Sequence, residues 1–302
     1  MISVGRRTHI TALACAALVY ITGCSGQDGQ ESSGGPDAPS PSASATNLRP
    51  SPLESYLKLP IEAYSFSADQ LYVISKAERK LADSCMRKYG LRYKAAASDS
   101  PAKYIPGTNR RYGVMNADVV ATYGYHFPET TAAASELELT EQEVLALNGK
   151  PGTSLELNGV EVPEGGCLGQ AKKNLRGKYA YEEGVEVAQS IALGSFEKSL
   201  TAPSVGKATK EWSQCMKKRG FSYSTPLRAL AAEENSGEEI TKREISAATA
   251  DVDCKTQTHL VRIWSRQEAE MQKSMIKESR KELDRLSEAH EKLLTEARSV
   301  GG

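Results

Sequence analysis

The strongest constraint on this chain is a nine-residue segment that occurs twice. Cys85-Met86-Arg87-Lys88-Tyr89-Gly90-Leu91-Arg92-Tyr93 matches Cys215-Met216-Lys217-Lys218-Arg219-Gly220-Phe221-Ser222-Tyr223, giving the pattern C-M-[RK]-K-x-G-[LF]-x-Y. Each copy reads as the end of a helix, with the glycine where a left-handed cap is favoured and an apolar residue just beyond it. Upstream of the first copy, Ser67 and Gln70 form a capping box. Leu71, Ile74, Leu81 and Cys85 then fall on one predicted core face. In the second copy Ala208, Trp212 and Cys215 do the same. The basic residues Arg87, Lys88, Lys217, Lys218 and Arg219 suit a helix C-terminus, whose dipole favours positive charge.

Each repeat cysteine is followed by another, Cys167 in a helix predicted over 166–176 and Cys254 in a longer helix. Four such cysteines in an exported chain predict two disulfides. Three pairings are possible. The expected one is Cys85–Cys167 with Cys215–Cys254, which joins each repeat helix to the next cysteine-bearing helix. No C-x-x-C occurs, and neither a metal nor another cofactor is expected.

Export is predicted from the N-terminus. Arg6 and Arg7 precede a mostly apolar run from Ile10 to Thr22, too short to span a bilayer but suited to a signal peptide. The run ends Ile21-Thr22-Gly23-Cys24, which resembles a bacterial lipobox. That resemblance implies cleavage after Gly23 and lipidation of Cys24, hence a membrane partner held through lipid alone. Residues 24–52 are rich in Ser, Gly, Pro and Ala and read as a flexible linker. The remainder divides into a helical globular domain over 53–266, with two related halves near 53–178 and 179–266, and a charged helical extension over 267–302.

Within the first half, Thr140 and Glu143 cap a short helix ending at Gly149. Ser154 to Val162 alternates around Asn158-Gly159, a hairpin signal. Tyr104, Tyr112, Tyr123, Tyr125 and His126, with Phe127, form an aromatic cluster that is the candidate ligand region. Asn116 to Thr122 is a short helical stretch, and Thr225-Pro226 starts another. From Glu238 almost to Arg298 no proline intervenes, so the pattern predicts continuous helix, with Cys254, Val261 and Trp264 on one side of it. In its last part Ile276, Ser279, Leu283, Leu286, His290, Leu293 and Ala297 follow a 3-4 spacing. That spacing reads as a coiled-coil seam for self-association or an envelope protein partner, weakened by Ser279 and His290, or else as a solvated helical extension of the core.

The lipobox, the repeated helix end, Arg111-Tyr112-Gly113, Tyr123-Gly124-Tyr125 and Ala248-Thr249-Ala250-Asp251-Val252-Asp253-Cys254-Lys255 together resemble a family of secreted lipoproteins of high-GC Gram-positive bacteria. The resemblance spans roughly 68–275. It implies location and fold, and brings no activity with it.

The 38 basic and 38 acidic residues cancel, which argues against nucleic acid as a partner. No G-x-S-x-G, H-E-x-x-H or P-loop occurs. The reading is therefore a mainly α, disulfide-stapled helical domain with a small hairpin and a long C-terminal helix. It sits lipid-anchored on the extracytoplasmic face of the cytoplasmic membrane and serves binding or scaffolding, not catalysis. The alternative is a wall-directed hydrolase using a carboxylate pair, which the sequence does not single out among its acids.

Overall fold

The computed structural model describes residues 48–93, 100–128, 139–177 and 181–301. The expected signal segment, Cys24 and most of the expected linker lie outside these residues. Two 3-10 turns, Pro52–Leu57 and Pro60–Tyr64, lead into α1 (Ala68–Met86), α2 (Ala117–Tyr123) and α3 (Glu141–Asn148). The hairpin β1 (Leu155–Leu157) and β2 (Val160–Val162) comes next, then α4 (Gly166–Arg176) and α5 (Tyr181–Leu200). The chain continues through α6 (Pro203–Lys218), α7 (Pro226–Leu230), α8 (Lys242–Gln257), α9 (Leu260–Glu278) and α10 (Arg280–Gly301).

The two repeats close their helices alike. The capping box of Ser67 and Gln70 starts α1, which tightens into a 3-10 turn over Arg87–Tyr89 before Gly90 turns left-handed at φ 74°. The Leu91 amide donates to the Met86 carbonyl at 3.1 Å, and the Gly90 amide to that of Arg87 at 3.1 Å. After α6, Phe221 donates to Met216 at 3.0 Å and Gly220, at φ 89°, to Lys217 at 3.1 Å. Both are Schellman closures, which satisfy carbonyls the helix leaves open. The equivalence reaches one step further. The residue two before each cysteine holds the tyrosine eight after it: Asp83 accepts from the Tyr93 amide at 3.0 Å, and the Ser213 hydroxyl donates to the Tyr223 carbonyl at 2.6 Å.

Disulfides join Cys85 to Cys167, with Cα atoms 5.5 Å apart, and Cys215 to Cys254, 5.7 Å apart. The first links α1 to α4, the second α6 to α8. The hairpin pairs Leu155 with Val162 and Leu157 with Val160. Asn158 and Gly159 both take positive φ, as a two-residue primed turn requires. The Asn158 amide donates to the Tyr89 carbonyl, and the Tyr89 hydroxyl to that of Glu161, both at 2.9 Å. The hairpin is thereby fastened to the first repeat.

The largest core gathers Tyr112, Trp212, Met216, Val261 and Trp264, all 1% exposed or less. It lies where α2, α6, α8 and α9 meet. A smaller cluster surrounds Cys85 and Cys167, and another lies between α1 and α10.

Three expectations change. The predicted continuous C-terminal helix is three helices. Thr256 and Thr258 bond back to carbonyls four residues earlier, and His259 turns left-handed at φ 54°. Such back-bonding weakens a helix without proline or glycine to announce it. Val261 and Trp264 thus belong to a different helix from Cys254. The chain turns again at Ser279.

Secondly, residues 267–302 are not an extension. Leu283 and Leu286 pack with Ile61 and Ile191, while Leu293 and Ala297 pack with Ile74, Ala77 and Leu175. The seam expected to meet a partner or a second copy is buried against α1, α4 and α5 of its own chain. The last helix also bridges the two expected halves.

Thirdly, Leu71 is 53% exposed, while the buried face of α1 keeps the expected Ile74 and Cys85 and adds Ala77, Ala82 and Met86. With Phe66, Tyr72 and Leu293, Leu71 lines an apolar cleft of about 470 Å³. No described helix is long and apolar enough to cross a membrane.

Candidate functional site

Residues 104–127 run across the main core, and four buried carboxylates hold them there. Glu54 is fixed as the third residue of a capping box on Ser51. It accepts from the Tyr104 hydroxyl and the Gly107 amide, both at 2.6 Å, and from Asn116 at 2.8 Å. Burial alone raises a carboxyl pKa, but these donors with the Ser51 amide outweigh it and hold Glu54 below the ordinary value.

Glu268, on α9, anchors Arg111-Tyr112. The Arg111 Nε donates to it at 3.0 Å and the Tyr112 hydroxyl at 2.8 Å, and the Arg111 Nη2 forms the ion pair. Ser195 and Gln272 complete its shell at 3.2 Å each. Burial opposes the charge of Arg111, yet bonding to Glu268 prevails and its pKa is raised.

Glu244, near the start of α8, accepts from the Tyr125 amide at 2.8 Å. A Cβ on Gly124 would lie 2.4 Å from this carboxylate, so a glycine is required there. Asp251, four residues before Lys255 on the same helix, accepts from Trp212 Nε1 at 2.8 Å. Lys255 donates to Asp251 and to the Val114 carbonyl at 2.7 Å. Arg111-Tyr112-Gly113, Tyr123-Gly124-Tyr125 and the segment ending Cys254-Lys255 are therefore all tied into buried polar bonding around the main core.

The predicted ligand residues divide. Tyr112, Tyr123 and Tyr125 are core side chains, 5% exposed or less. Tyr104 is 51% exposed and Phe127 62%. His126 is partly exposed, with Nε2 3.6 Å from Glu244 Oε1. Arg110, which sequence reasoning passed over, joins them. Its Nη2 donates to the His126 carbonyl at 2.7 Å, its guanidinium lies 5.0 Å from the Phe127 ring centre, and it couples electrostatically to Tyr104. Burial pushes the Arg110 pKa down to about 10, partly offset by Glu54 and Asp251, so it stays charged at neutral pH.

This corner has a further property. Arg110 Nε and His126 Nε2 are buried nitrogens without a hydrogen-bond partner. Among the described residues no group of three or more His, Cys, Asp or Glu is placed to hold a metal ion. The signal that could have found Arg110 was local: it is a cation just before the Arg111-Tyr112-Gly113 turn, within an aromatic stretch.

Compared with family models, curated proteins and solved structures, the chain matches none.

Proposed function

We propose that the protein is a lipid-anchored binding protein of the bacterial cell envelope, and that it binds through the corner formed by Tyr104, Arg110, His126 and Phe127. The observation that carries the reading is this juxtaposition of two exposed aromatic rings around one cation. Aromatic faces stack on the apolar face of a sugar ring, and a guanidinium pairs with carboxylate. The ligand class that fits is an anionic glycan. The four buried carboxylates supply rigidity beneath the corner, and binding to a rigid surface loses less entropy.

Location rests on the sequence ending at Cys24 and on the two disulfides, which form in oxidising compartments. Lipid at Cys24 on the extracytoplasmic face places the corner within reach of wall polymer. The test is equilibrium binding of soluble anionic wall-glycan fragments to the mature chain. Saturable binding, lost in F127A at unchanged melting temperature and lost also in Y104A, supports the reading. Absence of binding, or binding untouched by both substitutions, overturns it. For the anchor, Cys24→Ser is expected to move the protein from the membrane fraction to the medium.

A further inference from the structure

We propose that Asp251 and Lys255 react with one another to form an intramolecular amide bond, an internal staple within α8 that adds to the disulfide on the neighbouring Cys254. The Lys255 Nζ lies 3.0 Å from Asp251 Oδ1 and 3.1 Å from Oδ2, and both side chains are 0% exposed. The i,i+4 spacing on one helix face brings the two side chains together without moving backbone. The amine is held there by its bond to the Val114 carbonyl and by close packing against Gly113, where an added Cβ would lie 2.8 Å from Nζ.

The carboxyl is prepared for attack. Trp212 Nε1 donates to its Oδ1, and the Tyr125 hydroxyl also bonds to it. Both draw electron density from the carbonyl carbon. Away from water, a neutral acid and a neutral amine are favoured over two charges. Burial raises the Asp251 pKa and lowers that of Lys255, and the Arg110 charge adds to the second effect. Both shifts run toward the neutral forms, in which an amine is nucleophilic and a carboxyl electrophilic.

The step balances without a co-reactant. The Nζ lone pair attacks Cγ of Asp251, the C–N bond forms and a Cγ–O bond breaks. The expelled oxygen leaves as water, carrying the carboxyl proton and one amine proton. Nothing is oxidised or reduced. The product is a neutral amide, which carries no charge for the core to desolvate.

The test is a tryptic map of the full-length protein after reduction and alkylation. Trypsin cuts after lysine only when the amine is free. The expected result is one peptide spanning residues 244–262, uncut at Lys255 and lighter than its encoded mass by one water. In K255R the water loss is expected to vanish. Two peptides, 244–255 and 256–262, at their encoded masses overturn the proposal. So does loss of water with normal cleavage at Lys255, which signals a backbone succinimide at Asp251. The unsubstituted protein decides the matter alone, so the outcome does not depend on whether K255R folds.

Discussion

Lys255 donates to the Val114 carbonyl across 141 residues of sequence, and so fastens the loop carrying the candidate site to the helix carrying the second disulfide. Lysine is rarely this deep unless paired. Here the pairing comes from Asp251, itself bonded to Trp212. Replacing one partner strands the other in the core. Lys255→Met is expected to cost about 3–5 kcal/mol. The double substitution to apolar residues at 251 and 255 is expected to recover much of that loss. Chemical denaturation of the three variants checks both statements.

The two disulfides close loops of different length, separated by 82 and 39 residues. On chain entropy alone their removal costs about 4.5 and about 4 kcal/mol respectively. Both losses are large beside the ordinary stability of a domain. Replacing either pair by alanine is expected to lower the melting temperature sharply, with the Cys85–Cys167 pair slightly the more damaging. Calorimetry under oxidising conditions measures the order.

Two helical glycines give opposite predictions. At Gly184 in α5 an added Cβ would lie 2.7 Å from the Leu286 Cβ in α10, so G184A must push those helices apart. A destabilisation of about 1–3 kcal/mol is expected. At Gly206 in α6 nothing lies within 4 Å. There G206A gains helix propensity and is expected to stabilise by about 0.5–1 kcal/mol. Urea titration of the two variants reads the sign directly.

Glu54 predicts an acid-sensitive step. Its pKa is lower in the fold than in the unfolded chain, because its hydrogen bonds outweigh burial. The stability it supplies is therefore complete above the unfolded value and is lost as pH falls through the folded one. Glu54→Gln retains one acceptor oxygen where the carboxylate offered two. It is expected to lose about 1–3 kcal/mol at neutral pH from donors left unmatched. It is also expected to flatten the fall in stability below the ordinary carboxyl pKa. Stability measured against pH for the two proteins separates them.

Much of the fold is legible in the sequence because its punctuation is local. Ser67 with Gln70, Thr140 with Glu143, Thr225-Pro226 and Asn158-Gly159 each specify a boundary through side chains a few residues apart, and each boundary appears there. The repeated Gly90 and Gly220 do the same. The turn at His259 is not legible, because an imidazole in a left-handed conformation leaves no compositional mark. Nor is the destination of α10. Its apolar period states that a face is buried, and says nothing about whether the burying surface belongs to the same chain. The aromatic cluster was visible as a cluster, but the division between core and surface was not. Tyr112 and Tyr104 are chemically alike and differ only in what folds over them. The four carboxylates under the site were hidden for the same reason among 38 acids.

The most direct test of the proposed function is amide hydrogen exchange of the protein, with and without soluble anionic wall-glycan fragments. The account predicts added protection confined to peptides covering 104–113 and 124–128, and its loss in Y104A and F127A. Protection elsewhere with none in these segments, or no change anywhere at saturating fragment concentrations, would contradict it.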